Sequence, residues 1–158
     1  MTMTATTRRR AARQTPPAVA ATVLGLVDRA RDGLLQACHV AAAAERYELA
    51  HLAALRAAAA LLAGREGADV SRSGPRNVWA AVPVVAPELA EWAEFFAETS
   101  RRRQAVERGS ATVSTREADD LVRQCETFLE LVLAALGLPM RAPVATCVIP
   151  TRSTRPVI

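Results

Sequence analysis

At 158 residues and 16.9 kDa the chain is long enough for one domain and too short for two well-buried cores. Hydrophobic residues make up 51% and charged residues 23%, which excludes wholesale disorder, while 4% aromatics and an abundance of Ala are poor material for a sheet. The net charge of +4 sits in the tails: residues 1–17 hold four Arg and residues 138–158 three, without an acid. Residues 18–137 set thirteen Arg against all 16 acidic residues, so by charge this body is not a nucleic-acid-binding domain.

A Thr- and Arg-rich leader closes at Pro16-Pro17 and lacks apolar periodicity, which predicts disorder over 1–17. Arg8 to Arg10 followed by the apolar run Ala18 to Val27 has the outline of an export signal. Asp28-Arg29-Ala30-Arg31-Asp32 follows at once without a good cleavage site, and the apolar spacing runs straight through. Val23, Leu26, Val27, Ala30, Leu34, Ala37 and Cys38 recur at steps of three and four, predicting a one-sided helix over 18–39 with a weak point at Gly33. The next helix, 43–63, carries one charged side chain, Arg56, between Leu49 and Ala63. A helix apolar nearly all round is a central helix, and Gly64 with Gly67 is expected to end it.

Residues 64–75 read as a flexible loop, and Asn77 to Val82 as a short helical segment stopped by Pro83. Pro87 opens a helix that reaches Gly109, with Glu88, Glu91, Glu94 and Glu98 in its first half and Arg101-Arg102-Arg103 near its end. That order complements the helix dipole and lets Glu98 pair with Arg102 across one turn, an alternative to a phosphate- or RNA-binding role for the Arg cluster. Ser114-Thr115-Arg116-Glu117 matches a capping box and starts a helix over 114–136, up to Gly137. Residues 138–158 contain four Pro and predict an extended or disordered tail, with Pro143 to Ile149 the one strand candidate. Four long helices and a short one make the fold class all-α, a helical bundle spanning 18–137.

Cys38, Cys125 and Cys147 show no metal-ligand spacing and suit a reducing, cytoplasmic compartment, with Cys38 and Cys125 as small buried hydrophobes. No metal or cofactor is called for, and no apolar stretch suits a bilayer span. His39 at a helix C-terminus is explained by the last carbonyls. His51, one turn after Tyr47 on the most apolar helix, reads as a hydrogen-bonded core histidine. Asp119-Asp120 at a helix start is an ordinary dipole arrangement.

The run from Glu45 to Leu62 (ERYELAHLAALRAAAALL) resembles the central helix of HEPN domains. With Val78-Trp79, the stretch Val85 to Phe96 and Thr115 to Asp120, it is similar to an actinobacterial branch of that superfamily over about residues 20–136. The resemblance implies an up-and-down bundle, a homodimer, and one of two activities. Some HEPN relatives are metal-independent ribonucleases built on an Arg followed four to six residues later by His. Others are non-catalytic, bind nucleotides or RNA, or partner with a nucleotidyltransferase or another protein. Arg46 and His51 satisfy the ribonuclease spacing, with His51 as acid or base and Arg46 on phosphate charge. Tyr47 stands where the active pattern carries Asn, Asp or His, and five residues' separation points the two side chains about 140° apart on one helix. The leading expectation is therefore a non-catalytic module with Arg46, Tyr47, His51 and Arg56 as ligand-binding residues. A ribonuclease and a plain helical adaptor remain as alternatives.

Overall fold

The computed structural model describes residues 16–66, 77–140 and 142–144. The leader up to residue 15, most of the 64–75 loop, Cys147 and all but the first two residues of the Pro143 to Ile149 strand candidate lie outside them. Five α-helices follow in order: α1 (Pro16–His39), α2 (Ala43–Glu66), α3 (Val78–Val85), α4 (Ala90–Glu107) and α5 (Thr115–Ala135). A 3-10 turn, Pro87–Leu89, leads into α4. The described residues form no strand, and no described helix is long and apolar enough to cross a membrane.

The central position of α2 follows from its composition. It packs on α1 and α5 most extensively and also on α3 and α4. Ala50, Ala53, Ala54, Ala57, Ala58 and Ala60 are fully buried, because small side chains let neighbours close in from several sides. On α1 the apolar stripe comes out as predicted: Val23, Val27, Ala30, Leu34 and Ala37 face the core. The supposed weak point, Gly33, is instead a buried point of close approach, where an added Cβ would lie 3.5 Å from Ala53 Cβ and 3.3 Å from Arg56 Nη1.

Gly64 does not end α2. The helix continues to Glu66, and a Cβ on Gly64 would collide with Leu136 Cδ2, so this glycine makes room for the residue just past α5. Pro83 does not end α3 either. It lies where its missing N–H costs a single helical bond, and the helix resumes with Ala86 N–H donating to the Val82 carbonyl at 2.9 Å. Packing of Trp79 and Val82 into the core holds this turn together.

The ends of α4 and α5 obey local rules. Gly109 (φ +73°) and Gly137 (φ +66°) adopt the left-handed conformation that a side chain would strain. After each, two backbone bonds close a Schellman motif: Ser110 N–H to the Ala105 carbonyl and Gly109 N–H to Val106, and Leu138 N–H to Leu133 with Gly137 N–H to Ala134. At the start of α5 the Ser114 hydroxyl accepts from Glu117 N–H at 3.1 Å, as the capping box requires.

All five Trp and Phe residues of the chain gather in one cluster. Phe96 stacks on Trp79 at 4.9 Å and touches Phe128 at 5.0 Å, and Trp92 lies 6.0 Å from Phe128. Beyond α5 the chain turns back over the bundle: Arg31 Nη2 donates to the Ala142 carbonyl at 2.6 Å, and buried Val144 donates its N–H to the Glu126 carboxylate.

Candidate functional site

Arg46 and His51 both lie on α2, and the structure gives them different surroundings. Arg46, at the start of the helix, donates from Nε (3.1 Å) and Nη2 (2.7 Å) to the Val40 carbonyl, just past the end of α1. Its Nη1 pairs with Asp119 on α5. The guanidinium thus ties together the α1–α2 turn and α5, which leaves little of it for a phosphate.

His51 is 1% exposed and points toward α3 and α4. Its Nε2 lies 2.8 Å from Ser100 Oγ. Ser100 donates its single proton to the Phe96 carbonyl at 3.0 Å and accepts from Trp79 Nε1–H at 3.1 Å. The hydroxyl can therefore only accept from His51, which assigns the neutral tautomer with its proton on Nε2. Nδ1 is then a bare lone pair, buried and without a hydrogen-bond partner among the described residues. Burial, followed by the field of Arg103, pushes the imidazole down to about 4. At neutral pH His51 is an uncharged part of the core, linking three helices through one hydroxyl.

Arg56, the remaining charge on this stretch of α2, donates from Nη1 to the Arg29 carbonyl of α1 at 3.1 Å. Four residues named together by their spacing are thus divided: Arg46 toward α5, His51 toward α3 and α4, Arg56 toward α1. Tyr47 alone faces an open cavity.

That cavity, about 490 Å³, is a cleft between α4 and α5 with Tyr47 at its floor. α4 and α5 barely approach each other along their backbones and are joined instead by long side chains. At one end Arg102 makes a two-point contact with Glu117, Nε to Oε1 at 2.5 Å and Nη2 to Oε2 at 3.0 Å. This replaces the expected one-turn pair, because Glu98 turns outward to Arg101 at 2.8 Å. The Arg102 hydrogen bonds hold the Glu117 carboxyl below its usual range.

Phe95, Thr99 and Leu121 complete the apolar lower walls, and Glu98, Arg116, Asp120 and Gln124 form the rim. Tyr47 is nearly buried, and that burial raises its phenol. Phe95, Thr99, Leu121 and Gln124 carry no motif signal, since a cleft depends on where two helices fail to touch. Phe95 and Arg102 on α4, and Glu117 and Gln124 on α5, are each seven residues apart and so share a face of their helix, but that the two faces flank one cleft is decided only by how the helices are placed.

The two cysteines among the described residues behave as small hydrophobes. Cys125 is buried with Sγ–H donating to the Ala50 carbonyl at 3.1 Å, and burial raises its thiol. Cys38 is partly buried, and its thiol is raised by burial and then by Glu126. No cluster of His, Cys, Asp or Glu among the described residues could hold a metal ion.

Comparison with curated proteins and with solved structures returns no match. A family model for SAV_6107-like HEPN domains matches residues 37–133, which contain α2 to α4, all but the last two residues of α5 and both walls of the cleft, whereas most of α1 precedes them. That match covers well over half of the chain and agrees with its helical architecture: the protein belongs to the SAV_6107-like HEPN family.

Proposed function

We propose that this HEPN domain works by binding rather than by cleaving, and that the α4/α5 cleft is its binding surface. The observation that carries this reading is the division of the Arg46 and His51 side chains. A metal-independent ribonuclease needs an imidazole that can exchange a proton with substrate and a cation beside the same phosphate. Here His51 gives its one N–H to the Ser100 hydroxyl inside the core, and Arg46 is held on Val40 and Asp119. The cleft, by contrast, is open, with Tyr47, Phe95 and Leu121 as its apolar surface and Glu98, Arg102, Arg116, Glu117 and Asp120 among the polar residues around them, so it offers a ligand both apolar contact and charged partners. Tyr47 is the one residue singled out by the family pattern that faces it.

The test is direct. Purified protein is incubated with a structured RNA in the presence of a chelator, beside the His51→Gln variant. The expected result is no cleavage above buffer for either. Cleavage by the native chain that His51→Gln abolishes, with the variant still folded by circular dichroism, would overturn the binding reading and establish the ribonuclease.

A further inference from the structure

We propose that Cys38 and Cys147 are a redox pair, joined by hydrogen peroxide into a disulfide that straps the chain after α5 along α1. The path of that chain carries the first part of the inference. Leu138 shares an apolar groove with Leu24 of α1. Four residues later the Ala142 carbonyl accepts from Arg31 Nη2 at 2.6 Å. Leu24, Arg31 and Cys38 stand at intervals of seven and so share one face of α1, and the chain has already passed from the first to the second. Cys38 is the next position on that face, about 10 Å of helix beyond Arg31. The five residues from Ala142 to Cys147 span at most about 18 Å when extended, so the second thiol has the length of chain to reach the first.

Glu126 of α5 carries the second part. Its carboxylate accepts the N–H of buried Val144, three residues before Cys147, and its charge is also felt at Cys38. One carboxylate therefore neighbours both Cys38 and the described end of the chain. From Val144 three residues reach about 10 Å, and a disulfide needs the two Cα atoms within about 7 Å. Burial removes the competing pairings: Cys125 is 1% exposed, with its Sγ–H on the Ala50 carbonyl. Cys38 is only partly buried and stays open to a thiol that arrives along α1.

The surroundings divide the chemistry between the two sulfurs. Burial and then Glu126 keep Cys38 protonated, and a thiol reacts slowly with peroxide, so Cys147 is oxidised first. Its thiolate attacks hydrogen peroxide: an S–O bond forms, the O–O bond breaks, and the departing hydroxide takes up a proton as water. The Cys38 sulfur then attacks the sulfur of the Cys147 sulfenic acid. The S–S bond forms, the S–O bond breaks, and the second hydroxide leaves as water with the Cys38 proton. The two cysteines lose two electrons and the peroxide gains them. Small thiols reverse the bond by exchange.

The experiment uses the full chain, reduced, freed of reductant and held dilute, then treated with hydrogen peroxide and digested without reduction. Mass spectrometry should find the Cys38–Cys147 linked peptide, with free thiols falling from three to one per chain. The melting temperature should rise by several degrees, and dithiothreitol should reverse both changes. Arg31→Ala, which releases the Ala142 carbonyl, should slow linkage at least threefold. Chains joined to one another through Cys147, a link that includes Cys125, or Cys147 oxidised to the sulfinic acid beside a free Cys38 would overturn the inference. A linkage rate unchanged by Arg31→Ala would overturn it too, since the path along α1 would then play no part.

Discussion

At the scale of single residues, the consequences of His51 are the easiest to measure. A histidine held neutral in the folded state with its proton affinity lowered to about 4 binds fewer protons than it does in the unfolded chain, where the ordinary value is 6.5. Folding stability is then fully present above about pH 6.5 and falls as the pH drops toward 4, by up to about 3 kcal/mol. Denaturant titrations at pH 7.5 and pH 4.5 measure this loss, and His51→Gln, which keeps an N–H for Ser100, should remove most of it. A pH slope unchanged by the substitution would show that other groups cause it. Ser100 bears on the same network. Ser100→Ala leaves the Trp79 indole N–H and the His51 Nε2–H without their acceptor, and should destabilise the fold by about 2 kcal/mol or more, read from the denaturation midpoint.

Arg46 and Asp119 form an ion pair whose two members are not equivalent. Asp119 is 42% exposed and loses only a solvated contact when removed, whereas Arg46 also carries the Val40 carbonyl. Asp119→Ala should cost well under 1 kcal/mol and Arg46→Ala about 2 kcal/mol, a contrast that equilibrium unfolding of the two variants resolves. Comparable losses would mean that the ion pair, not the Val40 carbonyl, is the main contact.

At the scale of helices, glycine has two uses in this chain that its position in the sequence does not distinguish. Gly109 and Gly137 stop helices through positive φ, and any side chain there is strained. Gly33 and Gly64 lie inside helices with ordinary backbone, and what matters is the neighbouring helix. At Gly33 the space accepts a methyl group: Ala53 Cβ would be at normal contact distance, and the Arg56 guanidinium end can shift by a few tenths of an ångström. Gly33→Ala should therefore raise stability by about 0.5–1 kcal/mol through helix propensity, seen as a higher melting temperature. A lower melting temperature would show that α1 and α2 are packed too tightly for the added carbon.

At the scale of the whole molecule, α2 organises the bundle and leaves a gap between α4 and α5. Each helix packs on α2, α1 and α5 over the greatest area, and α4 and α5 are left joined at their edges. The aromatic cluster joins α3, α4 and α5 in the core behind the cleft, and of its five members Phe95 lines the cleft itself. Phe96→Ala should cost about 3–5 kcal/mol and abolish any cleft ligand together with the fold, whereas substitutions on the rim, such as Gln124→Arg, should alter binding with stability unchanged. The segment after α5 adds to the same body: it crosses α1 at Arg31 and buries Val144, so the Pro-rich tail is not wholly separate from the core.

What the sequence by itself determined were the features encoded within a few turns of chain: the helical periods of α1 and α5, the Ser114 cap, the Gly109 and Gly137 stops, and the all-apolar face count that made α2 central. The likeness of the 45–62 run and its companion stretches to HEPN domains was also legible there, and the family match bears it out. Tertiary structure alone decided the rest, because those features depend on which surfaces meet. α2 continues through Gly64, whose missing side chain leaves room for Leu136, and Pro83 is tolerated where Trp79 and Val82 anchor its turn. Arg46 and His51, five residues apart, diverge because a helix turns about 100° per residue and presents each to a different neighbour. The cleft could not be read from spacing at all, since it arises where α4 and α5, both held against α2, fail to reach each other.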